Sequence, residues 1–164
     1  MKIGVYQLTT ANQQQIDQVS NAFLQRIEQL STIEFYPLEV NMVSQYKLNL
    51  IFVRTGGTEA MFVEIYQKVK GPFYLLTTGE FNSLAASMEI LAFLKQKQEQ
   101  AEIIHGEEKD VAQKLEQLYH QRADYNEVIK AKLGVIGKPS DWLIASVVDY
   151  EVIKRRMGIE LINI

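Results

Sequence analysis

A glycine pair between two threonines is the segment of this chain whose residue types most readily suit chemistry. It consists of Thr55, Gly56, Gly57, Thr58 and Glu59, and it directly follows the apolar run LNLIFVR. Glycine lets the backbone adopt positive φ and approach a ligand closely. Because Thr58 and Glu59 open a predicted helix, its free N–H groups could hold an anion or a sugar hydroxyl. The alternative is a tight strand-to-helix turn with Thr58 as N-cap. The segment matches neither the phosphate loop nor the GxGxxG pattern, so it does not predict nucleotide binding.

Two further loops carry polar side chains that suit ligand binding. Asn82 and Ser83 precede an alanine-rich helix, where such residues usually act as caps. Ser140, Asp141 and Trp142 follow another apolar run. A Trp beside an Asp offers a stacking face and a hydroxyl acceptor, which is a common way to hold a sugar. In the alternative, Asp141 caps the next helix and Trp142 fills a gap in the core or at an interface. We expect Trp142 to be at least partly accessible in the isolated chain.

No residue pattern points to catalysis or to a metal site within this chain. His105 ends a predicted strand, and His120 lies in a charged helix, where a surface or structural histidine is the usual interpretation. Cysteine is absent, which excludes disulfides, thiolate zinc sites and a cysteine nucleophile. No pair of carboxylates has a spacing that indicates acid–base catalysis, and no GxSxG, HExxH or EF-hand motif occurs.

Apolar runs that alternate with amphipathic segments must position these loops. The runs predict strands at 2–8, 34–38, 48–54, 73–77, 102–105, 133–136 and 159–164, with helices between most of them. Such alternation is typical of right-handed βαβ crossovers. We therefore predict an α/β fold: a doubly wound, mostly parallel sheet with helices on both faces, in a flavodoxin- or Rossmann-like three-layer sandwich. Loops 55–59, 78–83 and 137–142 should then lie together at the carboxyl edge of the sheet, where such folds bind ligands.

Size and charge restrict the class of protein. A chain of 164 residues with 47% apolar and 23% charged residues predicts a single globular domain over residues 1–164. The net charge of −3 offers no basic surface for nucleic acid or an anionic membrane. No apolar run approaches the roughly 18 residues that span a bilayer. The N-terminus lacks the apolar stretch of a signal peptide, so we expect a cytoplasmic protein.

The same loops carry a resemblance to a known family. The stretch from 50 to 106, with TGGTE at 55–59, NSLAASMEILAFL at 82–94 and IIHG at 103–106, resembles the N-terminal region of the L-fucose isomerase and L-arabinose isomerase superfamily. It is most similar to the bacterial fucose isomerase-like members. The segments LGVIGKPSDWLIAS at 133–146 and GIELINI at 158–164 resemble the same proteins, whereas residues 2–47 contribute only a generic βα start.

The resemblance implies a larger, oligomeric enzyme, an aldose–ketose isomerase that commonly depends on manganese. Its metal ligands are two acidic residues and a histidine from later domains. No catalytic residue, metal ligand or cofactor is therefore expected in this chain, and a divalent metal such as manganese is expected only in the full-length enzyme. The implied partners are the remaining domains of the same polypeptide, other copies of it and a small sugar. The three loops are the candidates for substrate or interface contacts.

Our first hypothesis is the N-terminal domain of a sugar isomerase, which helps to shape the substrate cleft and the oligomer and is inactive alone. The final apolar strand LINI also favours a boundary inside a longer protein. A stand-alone, flavodoxin-like module that binds a small ligand or regulates another protein is the main alternative. A complete small enzyme that works at the 55–59 and 139–142 loops is a third.

Overall fold

The structure is a computed structural model, and it describes residues 1–10, 13–39, 44–128, 132–137, 149–157 and 159–164. Its contacts divide the chain into two compact units, Met1–Tyr119 and His120–Ile164, and each is described by itself. The expectation of one domain over residues 1–164 stays a prediction. Within the described ranges, no helix is long and apolar enough to cross a membrane.

A five-stranded parallel sheet forms the centre of the first unit. Its order is β2-β1-β3-β4-β5, so the chain winds from β1 to one side and from β3 to the other. The parallel sheet confirms the predicted fold class, because continuous apolar runs such as LNLIFV are buried on both faces. The strands are β1 Lys2–Leu8, β2 Glu34–Leu38, β3 Leu48–Val53, β4 Phe73–Thr77 and β5 Ala101–Ile104.

Helices cover both faces of this sheet, as predicted. They are α1 Gln14–Leu30, α2 Glu59–Tyr66, α3 Ser83–Gln96 and the part of α4 (Glu108–Val128) that lies in the first unit. Alternate strand residues divide between two cores. Leu50 and Phe52 of β3 join the core with α1 and the first part of α4, whereas Ile51 and Val53 join the core with α2 and α3.

The described end of the link from β2 to β3, residues 44–47, brings Tyr46 close to β1. A Cβ atom on Gly4 would lie 2.9 Å from Cδ2 of Tyr46, inside contact distance. The ring of Tyr46 stacks on Tyr36 of β2, with centroids 5.3 Å apart. Because Gly4 has no side chain, the ring of Tyr46 can lie directly against β1 at this point.

The second unit holds a separate two-stranded parallel sheet. Strand β6 (Lys132–Val135) pairs with β7 (Glu160–Asn163), and α5 (Tyr150–Met157) packs against β7. The strands themselves were predicted, but the expectation that β6 and β7 belong to one sheet with the other strands is wrong. The prediction for the loop after β6 falls largely on residues 138–142, outside the described residues. A strand sequence indicates burial and period, and the choice of hydrogen-bonding neighbour depends on tertiary contacts.

Candidate functional site

The topology itself creates a crevice at the carboxyl edge of the five-stranded sheet. The connections after β1 and β3 leave the sheet toward opposite faces, because α1 covers one face and α2 the other. In sheets of the order 2-1-3-4-5, this topological switch point between β1 and β3 is where ligands bind. The loops after both strands contribute to a cavity at that point.

We call this cavity the switch-point cleft. It is open to solvent and has a volume of about 630 Å³. Loops after β1, β3 and β4 line it together with the first turns of α3. Its polar lining comes mainly from Thr10, Thr55, Gly56, Glu59, Asn82 and Glu89. The predicted loops 55–59 and 78–83 therefore meet at one site.

Thr55 joins the first two loops through a small hydrogen-bond network. Its side-chain oxygen accepts the backbone N–H of Thr10 at 3.0 Å and lies 3.1 Å from the Thr10 hydroxyl. The Thr10 hydroxyl donates in turn to the carbonyl of Gly56 at 3.2 Å. The Thr55 hydroxyl is then the donor to Thr10, and every hydroxyl proton in the network has an acceptor. Thr55 is only 5% exposed, so this network fixes the floor of the cleft.

The turn after Thr55 depends on glycine at one position. Gly57 has φ of +74°, a conformation that other residues rarely adopt. Thr58 occupies the N-cap position of α2, but its side chain makes no capping hydrogen bond. Its hydroxyl donates back to the carbonyl of Thr55 at 3.1 Å, and Thr58 is fully buried. Thr58 therefore closes the turn and does not line the cleft, whereas Glu59 does.

The loop after β4 packs against this turn. The backbone N–H of Gly56 donates to the carbonyl of Phe81 at 2.8 Å. Phe81 and Asn82 both have left-handed backbone conformations, with φ of 52° and 58°. Two such residues in succession are strained unless the surroundings hold them in place. Asn82 precedes α3 without a side-chain capping bond, so its expected role as a cap is wrong, and it lines the cleft instead.

Ser83 holds the strained loop from behind. Its hydroxyl accepts from Thr77 at 2.7 Å and donates to the carbonyl of Glu80 at 2.6 Å. Both Ser83 and Thr77 are fully buried. Ser83 was a candidate for ligand contact, and the structure places it inside the turn. The sequence around a serine looks the same whether its hydroxyl faces a ligand or closes a turn.

Two side chains of the lining, Thr10 and Glu89, and one side chain outside it, Arg54, were not found from sequence. Thr10 follows β1. Ligands bind at the carboxyl ends of parallel strands, and this rule, which indicated the loop after β3, applies equally to Thr10. Glu89 lies two turns into α3, and the sequence around it has no pattern that indicates a binding site. It lines the cleft because α3 runs beside it. Arg54 carries a buried charge at the end of β3 and touches α1, which strand patterning does not indicate.

The electrostatics of the cleft are acidic. Glu59 and Glu89 both line it, and among the described residues no Lys, Arg or His does so. Phe81, Ala85 and Ala86 add an apolar wall. The cleft therefore offers acceptors, hydroxyls and one aromatic surface, and it offers a phosphate no positive side chain to bind.

The next question is whether His105 or any other described residue could hold the metal that the family resemblance implies. His105 follows β5, and its Nδ1 lies 3.3 Å from the carbonyl of Thr77. Across the part of the chain that the structure describes, no three His, Cys, Asp or Glu side chains converge in a group that could hold a metal ion. These residues do not fit the manganese site that the resemblance implies for a full-length enzyme, and we derive no chemical step through a metal.

The third predicted loop is represented only by Gly137, since residues 138–148 lie outside the described residues. The predictions for Ser140, Asp141 and Trp142 fall there.

In comparisons with known proteins, no family model matches this chain and no curated protein matches its sequence.

Proposed function

We propose that this chain binds a small, neutral, polyhydroxylated molecule such as a sugar in the switch-point cleft. We further propose that it does so as the N-terminal domain of an aldose–ketose isomerase, where it helps to shape the substrate cleft and the oligomer interface. The observation that supports the proposal is the convergence of loops 55–59 and 78–83, which carry the family resemblance, on one hydroxyl- and carboxylate-lined cleft.

The lining chemistry favours a ligand rich in hydrogen-bond donors. The hydroxyl protons of Thr10 and Thr55 are already bonded within the protein. Carboxylates only accept hydrogen bonds at neutral pH, and a side-chain amide both donates and accepts. Glu59 and Glu89 supply the first kind of group, and Asn82 supplies an amide. A sugar presents hydroxyls that can satisfy both kinds at once. Its apolar ring face also has a complementary surface in Phe81.

The same lining disfavours anionic ligands. Phosphate sites combine backbone N–H groups with Lys or Arg. Here the N–H of Gly56 is already bonded to Phe81, and the charged side chains among the described lining residues, Glu59 and Glu89, are both carboxylates. Like charges at close range repel, and a partly enclosed cleft screens that repulsion less than open solvent does. A nucleotide or a sugar phosphate should therefore bind more weakly than the free sugar.

The binding test is a calorimetric titration of the purified chain with L-fucose and L-arabinose, with inorganic phosphate and AMP for comparison. We expect a dissociation constant of roughly 1 mM or tighter for a sugar. Glu89→Gln should weaken that binding, because a charged acceptor becomes a neutral one. Glu64→Gln is the matched control, since Glu64 is an exposed residue of α2 outside the cleft. Tight binding of phosphate or AMP without any response to the sugars would contradict the proposal.

A stand-alone binding or regulatory module is the second candidate, and one observation favours it. The compact unit Met1–Tyr119 contains the five-stranded sheet and all the described lining residues of the cleft. Two observations separate the two roles. One is an assay of ketose formation with added manganese, and the other is whether the reading frame continues beyond Ile164. Under the first proposal we expect the chain alone to bind sugar without turnover and the frame to continue into domains with acidic and histidine ligands. Sugar binding without such a continuation would support the module.

A further inference from the structure

Arg54 carries a positive charge that is almost removed from water. It follows β3 directly, and its backbone N–H donates to the carbonyl of Leu8 at 2.9 Å. The residue is only 8% exposed. A buried charge is unfavourable unless polar partners replace its water. The guanidinium group is planar and has five N–H donors, so it can bind several partners in fixed directions.

The partners of Arg54 lie on both sides of the loop between β1 and α1. Nη1 donates to the side-chain oxygen of Gln7, which belongs to β1. Nε donates to the hydroxyl of Ser20 at 3.0 Å, and Nη2 forms an ion pair with Asp17. Ser20 and Asp17 lie in the first turns of α1. One side chain therefore ties the strand before the loop to the helix after it.

The next residue along the chain holds the same loop at a third point. Thr55 binds both the backbone N–H and the hydroxyl of Thr10, which lies between the two points that Arg54 holds. Arg54 and Thr55 are consecutive, so their backbone positions cannot change independently. Any shift of α1 relative to β3 would change the loop that carries Thr10 into the cleft.

We propose that Arg54 is a positioning residue for the switch-point cleft. It holds the β1–α1 loop so that Thr10 stays bonded to Thr55 and faces the ligand, although its own side chain lies outside the cleft lining. The consequence for sugar affinity rests on the proposed function. The consequence for the Thr10 contact does not, and it can be measured without a ligand.

The test compares Arg54→Lys with Arg26→Lys by amide hydrogen exchange. Lysine keeps the charge but has a single ammonium group, which cannot reach three partners in the same geometry. Arg26 is an exposed residue of α1 and serves as the matched control. We expect Arg54→Lys to accelerate exchange of the Thr10 amide about tenfold, as expected for the loss of one or two hydrogen bonds. The amide of Leu75, in the centre of the sheet, reports global stability and should change less.

Sugar titrations of the same variants complete the test. Arg54→Lys should weaken sugar binding, and Arg26→Lys should leave it unchanged. Asp17→Asn removes the charge of one half-exposed partner and decides the question if Arg54→Lys fails to fold. Equal exchange at Thr10 in a folded Arg54→Lys or Asp17→Asn variant and the parent would overturn the proposal, as would a parallel increase at Thr10 and Leu75. Should the parent bind no sugar, the proposed function fails, while exchange at Thr10 still decides the role of Arg54.

Discussion

Removal of the Thr55 hydroxyl should loosen the cleft by a predictable amount. Thr55→Val keeps the shape of the side chain and deletes both hydrogen bonds to Thr10, at 3.0 and 3.1 Å. A typical protein hydrogen bond contributes about 0.5–1.5 kcal/mol net. Thr10 is exposed, so water can replace part of what it loses. We therefore expect the free energy of unfolding to fall by about 1 kcal/mol, which is toward the lower end of the two-bond range.

Thr55→Ser is the matched control because it retains the hydroxyl and loses only a methyl group. Urea unfolding followed by circular dichroism gives both free energies, and sugar titration gives both affinities. We expect Thr55→Val to weaken sugar binding by up to about tenfold, since the loop that carries Thr10 is released. We expect Thr55→Ser to stay near the parent in both measurements. If Thr55→Val is as stable as the parent, the hydrogen-bond network described here does not contribute to stability.

Further predictions concern the turns that build the cleft. Gly56→Ala places a Cβ atom 3.0 Å from Cβ of Asn82. The substitution should lower the free energy of unfolding by about 1 kcal/mol and weaken sugar binding, because it separates the two loops. Gly79→Ala combines a φ of +86° with a Cβ only 2.6 Å from Cε1 of His105. A loss of about 1–3 kcal/mol in urea unfolding is expected, and His105→Ala should recover only the steric part. Ser83→Ala leaves the buried Thr77 hydroxyl without its acceptor, so unfolding should become easier by about 1–3 kcal/mol. Sugar affinity should not change in Ser83→Ala if that side chain only closes the turn, and a large loss would show that it contacts the ligand.

The sequence predicted the fold class because two physical signals agreed. LNLIFV is apolar at nearly every position, as a strand must be when helices cover both faces of its sheet. The stripe of Ile16, Phe23 and Ile27 recurs with helical period, and all of these residues are buried in α1. The position of the glycine turn at the carboxyl end of β3 followed from the same alternation.

The direction in which polar side chains face was beyond sequence reasoning. Thr58 and Ser83 are small hydroxyl residues beside helix starts, as ligand-binding residues often are. In the structure both hydroxyls bond to backbone carbonyls within their own turns. Asn82 occupies a cap position, yet its left-handed backbone directs it to the cleft. Local hydrogen bonds of similar energy compete at such positions, and surrounding loops decide between them.

By itself, then, the sequence determined the alternation of strands and helices, the parallel sheet and the glycine turn after β3, because burial and period are local properties of the chain. Only the tertiary structure decided the strand order, the separate pairing of β6 with β7, and the meeting of Thr10, Asn82 and Glu89 at one cleft. It also decided that Arg54 is buried against α1. These features join residues far apart in the chain, and the contacts that stabilise them exist only after the elements have packed.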